Sequence, residues 1–288
     1  MAPAPITIRR HAGDGHHWEM ASRPPAAPLA SLVRGYVGYT EHATASVRRL
    51  QVPFSGLPLI ISFGPSIRVT DPSAGDNGHP VTSFLAGLHD RLVVTEYCGA
   101  QAGVQVDLTP LGAARLFRGV AAEAANRVVD LADVLGTAAA ATLEGRLAET
   151  NDWAARFDRV DRLLLARLSD APAPPAGVAV AWRRIAASHG GIGIEQLANE
   201  IGWSRKHLAD RVRRELGLGP KTLARVVRFE RAVALLGTAA APGRADLATW
   251  CGYADQAHFN RDFRAFAGCT PGDYLASRMP GGMGVAAA

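Results

Sequence analysis

Hydrophobic and polar positions follow two regimes along the chain. Residues 57–63, 67–70, 83–88, 92–97 and 103–108 are short runs rich in β-branched and aromatic side chains, separated by turn clusters such as DPSAGDNGHP at 71–80. Such runs predict a small antiparallel sheet or barrel. After Pro110 the apolar period lengthens, and helices are predicted over 111–117, 128–135 with Gly136 as the stop, 140–148 and 154–168. The last carries Phe157, Val160, Leu164 and Leu168 on one seam, suited to packing against another helix, including one from a second copy.

A proline-rich stretch, SDAPAPPAG at 169–177, interrupts this pattern. Pro172, Pro174 and Pro175 disfavour helix and lack backbone donors, so the segment reads as a semi-extended linker. The expected division is a β-rich regulatory region over 1–168, a linker over 169–178, a helical region over 179–279 and a disordered tail over 280–288. Charge divides at the same place. Residues 1–176 carry 16 Arg against 17 Asp+Glu, net −1, whereas 177–288 carry 15 Lys+Arg against 9 Asp+Glu, net +6. The whole-chain charge of +5 therefore belongs to the second part.

That basic part contains a repeat. Leu197, Ala198, Gly202 and Trp203 recur as Leu247, Ala248, Gly252 and Tyr253, and Ser204, His207, Leu208, Val212, Arg213, Gly217 and Pro220 recur as Asp255, His258, Phe259, Phe263, Arg264, Gly268 and Pro271. The offset changes from fifty to fifty-one at the turn, so one supersecondary unit is present twice. In the first copy Ile194, Leu197, Ala198 and Ile201 make one apolar stripe, Gly202 ends the helix, and Ser204 caps a second helix over 205–216. Leu208, Val212 and Leu216 face inward; Arg205, Lys206, Arg213 and Arg214 are left outside. In the second copy, with Leu247, Ala248, Trp250 and Cys251 in its first helix, Asp255 caps a helix over 256–267 that buries Phe259, Phe263 and Phe266 and shows Gln256, Asn260, Arg261 and Arg264. Helix, glycine turn and capped helix with a basic face is the helix-turn-helix pattern. Asn and Gln can pair in bidentate fashion with adenine, and Arg with guanine. Residues 221–236 predict a connecting helix of roughly 24 Å, a length that could set two reading helices about one DNA turn apart.

From about Ala179 to Leu275, roughly a third of the chain, the residues resemble the DNA-binding domain of AraC-type (AraC/XylS family) bacterial transcription regulators. The second unit carries the signature most fully, in Cys251, Gly252, Tyr253, Asp255, His258, Phe259, Arg261, Phe263, Gly268, Thr270, Pro271 and Tyr274. The resemblance implies an α+β chain: a β-rich sensor or dimerisation domain with helices at its end, then an all-α domain of two helix-turn-helix units joined by a long helix. It implies a regulator bound to double-stranded promoter DNA, with RNA polymerase, a small-molecule effector and a second copy of the chain as further partners; without an apolar run of membrane-span length or a secretory-signal core, the chain is expected to be cytoplasmic. By matching positions, Lys206, Ala209, Asp210, Gln256, Ala257, Asn260 and Arg261 would face bases. Arg205, Arg213, Arg214, His258 and Arg264 would face phosphates. Asp210 departs from the family, which usually has Arg there; with Ala209 beside it, the first unit is expected to discriminate less than the second.

The remaining chemistry is sparse. Cys98, Cys251 and Cys269 lack C-x-x-C spacing, His16 and His17 have no third ligand at metal spacing, and no run approaches the roughly 18 apolar residues of a membrane span. No cofactor, metal or membrane partner is expected. Phe63, Phe84 and Tyr97 could line a ligand pocket or fill a core. The rival function is an enzyme acting on DNA through Cys98 as methyl acceptor or nucleophile, against which stands the absence of a basic neighbour in EYCGAQ.

Overall fold

The computed structural model describes residues 5–13, 15–75, 77–238, 244–279 and 284–287. The first half is an antiparallel sheet of β1 (Thr7–Gly13), β2 (His16–Arg23), β3 (Val33–Gln51), β4 (Leu57–Ser62), β5 (Ile67–Thr70), β6 (His79–Val81), β7 (Phe84–Ala86), β8 (Val93–Leu108) and β9 (Val128–Asp130). Its order is β1-β2-β3-β8-β4-β7-β9, with β5 paired to both β8 and β6.

Two strands exceed the expected lengths. β8 runs 16 residues and joins the two runs predicted at 92–97 and 103–108, because its pairing with the 19-residue β3 continues through the polar middle, Ala43 opposite Gly99 and Glu41 opposite Gln101. A register shift between Ala43 and Val47 bends the pair there. Another departure is at 128–130, expected to begin a helix. Val128 and Val129 instead pair with β7, and Asp130 Oδ1 accepts from Ala132 N at 2.8 Å to start α3 (Leu131–Leu135). A β-branched pair followed by an N-cap residue favours strand, then helix.

Alternation gives the sheet two different faces. On one, Val104, Val106 and Leu108 of β8 and Leu57, Leu59 and Ile61 of β4 are fully buried with Tyr36 of β3. This face is covered by α1 (Pro110–Leu116) and α5 (Trp153–Asp170), with α2 (Val120–Glu123) and α4 (Thr137–Ala148) nearby. Trp153 lies so close over Gly38 that a Cβ there would come within 2.3 Å of the indole. Phe157, Val160 and Leu164 are completely buried in this layer, so the seam expected to serve a helix partner is consumed inside the chain. Asp161 fixes α5 to the sheet: its carboxylate accepts from Arg23 Nη2 at 2.6 Å, Tyr36 Oη at 2.6 Å and Ala26 N at 2.9 Å. Val37, Tyr39 and Glu41 of β3 and Val93, Thr95 and Tyr97 of β8 point to the opposite face.

Helix α5 reaches Asp170, and α6 (Ala176–Ala187) starts after the prolines. The helical half continues with α7 (Ile194–Ile201), α8 (Arg205–Leu216), α9 (Pro220–Leu236), α10 (Arg244–Trp250), α11 (Gln256–Ala267) and α12 (Pro271–Ala276). Helix α9 belongs to two cores through two faces. Leu223, Ala224 and Val227 pack with α6, α7, α8 and the helices of the first half, whereas Val226, Phe229, Ala232 and Leu236 pack with α10, α11 and α12. Residues 280–283 and 288 of the expected tail lie outside the described residues. Val285 and Ala286, expected to be disordered, form β10 on β3 opposite Leu50 and Arg49, with Val285 buried against the second helical core. Apolar burial and paired backbone hold this segment where its small size suggested none.

Candidate nucleic-acid interface

Each unit of the repeat is built the same way. α7 ends at Gly202, which adopts a left-handed φ of 77°, and α10 is followed by Gly252 at 76°, a conformation that costs a side-chain-bearing residue energy. One residue later the aromatic of each copy anchors the turn. Trp203 meets His207 edge-on at 4.8 Å, and Tyr253 meets His258 edge-on at 5.2 Å. Ser204 Oγ accepts from His207 N at 3.1 Å, and Asp255 Oδ1 accepts from His258 N at 2.6 Å. These bonds satisfy amides that a helix start leaves free.

Helices α8 and α11 each turn one stripe inward and leave the other to solvent. Leu208, Val212 and Leu216 of α8, and Phe259, Phe263 and Phe266 of α11, are at most 2% exposed. Arg205, Lys206, Asp210, Arg213 and Arg214 are exposed on α8, with Ala209 half-buried. Gln256, Ala257, Arg261 and Arg264 are exposed on α11; Asn260 and His258 are half-buried. His258 is the most engaged of the expected phosphate ligands, its ring against Tyr253 and its Nε2 3.9 Å from Asp262.

Asp262 is a residue the sequence reading missed. It is 7% exposed, and its Oδ1 accepts from Arg225 Nη2 of α9 at 2.8 Å, a bond that raises the guanidinium pKa. The signal was present: position 262 falls on the buried 259, 263, 266 stripe, and a carboxylate there needs an internal partner. Arg225 also lies 4.9 Å over the Phe266 ring, so it ties the connecting helix to the reading helix by charge and by stacking. Cys251 is buried as expected, and burial raises its thiol pKa. Trp250 next to it is 57% exposed.

Residues 197–277 match the family model of a helix-turn-helix domain. This segment is a helix-turn-helix domain, in agreement with the AraC-type resemblance of its residues. A search of curated proteins finds no match. Solved structures similar to this chain include the C-terminal domain of AraT, a response regulator from Geobacillus stearothermophilus, at 26% identity over 37% of this chain and 88% of that one, TM-score 0.34. ToxT from Vibrio cholerae aligns at 10% identity over 84% and 97%, TM-score 0.48. The AraC-like transcriptional activator CuxR aligns at 16% identity over 72% and 79%, TM-score 0.33. The matched segment takes in both units of the repeat apart from the first three residues of α7. Cys98, the residue of the rival enzymatic reading, is an exposed thiol on β8, outside the matched segment.

The helix-turn-helix domain packs on Leu50 and Val52 of the first half, beside a cavity. The second face of the sheet, between β3, β4, β5, β7 and β8, forms a partly open cavity of about 260 Å³, walled by apolar side chains such as Val37, Ile60, Ile67, Phe84 and Val93 and by Tyr97. Of the three aromatics singled out in the sequence, Phe84 and Tyr97 line it; Phe63 instead stacks on Arg156, 4.4 Å away. His16 and His17 belong to β2, where His16 Nε2 lies 2.7 Å from Glu41 Oε1 and the His17 ring stacks on His42 at 5.0 Å. Among the described residues no three His, Cys, Asp or Glu side chains are grouped to hold a metal, and no helix is long and apolar enough to cross a membrane.

One wall of the cavity is the loop after β3, through Val52, Pro53, Phe54 and Gly56. Ser55, in the same loop, donates its backbone N–H to Glu230 Oε2 of α9 at 2.9 Å and also donates its hydroxyl to that oxygen. Arg34 closes the arrangement, donating to Glu230 Oε1 at 2.6 Å and to the Ser55 carbonyl at 2.7 Å. The loop therefore touches both the cavity and the connecting helix of the DNA-binding domain. Replacing Glu230 with alanine is expected to speed hydrogen exchange of the Ser55 amide at least tenfold without changing protection in β8. Unchanged exchange at Ser55 would mean that apolar contacts alone hold the loop.

Proposed function

We propose that this regulator reads promoter DNA with α8 and α11 in two successive major grooves, and that the cavity in residues 1–168 receives a small effector that modulates this reading. The single observation that carries the first part is the pair of capped helices whose outward faces are left free while their inward faces are locked on one connecting helix. Backbone contacts then come from Arg205, Arg213, Arg214 and Arg264, and base contacts from Lys206, Gln256, Asn260 and Arg261. Asp210 offers no donor to a phosphate and accepts only from a cytosine amine. In this reading the proline segment divides a sensing unit from a reading unit, and a second copy and RNA polymerase are its macromolecular partners.

Genome-wide footprinting of the protein supplies the operator, and two variants then separate the roles. Arg261→Ala is expected to relax discrimination at one base step by about 1 to 3 kcal/mol, whereas Arg213→Ala weakens binding to every sequence and flattens its salt dependence by about one counterion. Equal losses on operator and random duplex for both variants would refute the assignment.

A further inference from the structure

The cavity is read above as an effector site; its polar groups say what chemistry it accepts. Three glutamines line it. Gln51 Nε2 donates to Thr95 Oγ1 at 3.0 Å, and Gln105 Nε2 donates to Asp107 Oδ1 at 2.7 Å. Gln101 differs. It is 5% exposed, and among the described residues its Nε2 has no partner. That nitrogen is also shut off from solvent, so an acceptor meets it only when the amide turns toward the pocket; an unpartnered buried N–H is costly and favours such a turn.

Charge in the cavity is already balanced. Opposite Gln101 across the β3–β8 pair stands Glu41, whose side chain is 3% exposed. Burial alone would raise its carboxyl pKa, but bonds from Arg49, with further ones from Tyr97 and His16, outweigh burial and hold it below the usual carboxylate range. Arg49 donates to Glu41 through both terminal nitrogens and lies 5.4 Å over the Tyr97 ring, while its buried Nε also lacks a partner. An anionic ligand would have to draw Arg49 away from Glu41 and leave that carboxylate buried and unpaired. A cationic ligand would meet a carboxylate whose oxygens are already occupied. Two further titratable groups lie on the wall: burial drives His89 toward its neutral form, with its Nδ1 donating to the Gly87 carbonyl at 2.7 Å, and burial raises the Tyr39 phenol pKa, so that group is neutral too. The unpartnered polar atoms on Gln101 and Arg49 are both N–H donors.

We infer that the effector is an uncharged, largely apolar molecule with a hydrogen-bond acceptor, a ketone, ester or ether oxygen, that takes the free amide of Gln101. This deepens the cavity reading and can fail separately from it. The test compares 2-decanone with decanoate, two chains of equal length that differ in charge, by calorimetric titration of the full chain at pH 7.5. The expected result is that 2-decanone binds and raises the thermal midpoint, and that decanoate binds at least tenfold more weakly. Gln101→Leu should weaken 2-decanone at least fivefold while the unliganded protein keeps its thermal midpoint, since the leucine removes an unpartnered donor. Decanoate binding as tightly as 2-decanone, or an unaltered affinity in Gln101→Leu, overturns the inference and leaves the cavity as a ligand site. Binding of neither probe overturns both.

Discussion

Phe263→Ala is expected to destabilise the second helix-turn-helix unit by about 3 to 5 kcal/mol, the usual cost of deleting a buried aromatic ring. Phe263 is completely buried and sits at the middle of an aromatic cluster: Phe229 of α9 at 5.1 Å, Phe259 at 5.7 Å and Tyr274 of α12 at 5.5 Å. These contacts come from three different helices, so no single neighbour can move in to fill the space without releasing another. The first unit packs in a different apolar cluster, one it shares with the helices and sheet of the first half. Unfolding should therefore be local. Hydrogen exchange should lose protection in α11 and α12 while α7 and α8 keep theirs, and affinity for the operator should fall to that of one unit. Phe263→Leu, which keeps most of the volume, is expected to cost less than half as much. A uniform loss of protection across both units would show instead that the helical half unfolds as one body.

How much of this was legible without coordinates depends on how the information is stored. The reading units were legible because each is local: a stripe at helical spacing, a glycine that ends it, a cap, and a second stripe, all within about 25 residues. Repetition then removed ambiguity, and the boundaries of α8 and α11 agree with the pattern to the residue. The strands β1 to β3 were not legible. β1 is exposed along nearly its whole length, and β3 places Gly35, Gly38, Thr40 and His42 among its apolar positions, so alternation is broken by residues whose role is set by what crosses them, as Trp153 crosses Gly38. Partners distant in sequence were equally hidden. Asp161 and Arg23 are 138 residues apart, and Glu230 and Ser55 are 175 apart, and nothing local to either member announces the other. The cavity was half legible. Phe84 and Tyr97 were identified as pocket or core, but the choice depends on Gln101, a residue whose burial follows only from its place opposite Glu41 in the register of β3 and β8.

The same non-local layer yields the second large effect. Asp161→Ala is expected to cost about 3 to 5 kcal/mol, the range found when one partner of a buried ion pair is removed. Three donors lose their acceptor at once: the Arg23 guanidinium, with a side chain only 3% exposed, the buried Tyr36 hydroxyl, and the Ala26 amide. Arg23 retains Asp158 at 2.5 Å, but that carboxylate is 56% exposed and its attraction is screened by water, so it offsets a minor part of the loss. Asp158→Ala is accordingly expected to cost under about 1 kcal/mol. Asp161→Asn should fall between the two, since its carbonyl still accepts from Tyr36 or Ala26 while the charge facing Arg23 is gone. Urea unfolding followed by circular dichroism measures the series. Should Asp161→Ala cost no more than Asp158→Ala, α5 would be held by its apolar face alone. The cavity lies on the face of β3 and β8 opposite α5, and the register that sets Gln101 opposite Glu41 is held by the backbone ladder of those strands, so 2-decanone binding should weaken across the series only as far as the loss of stability populates unfolded chain.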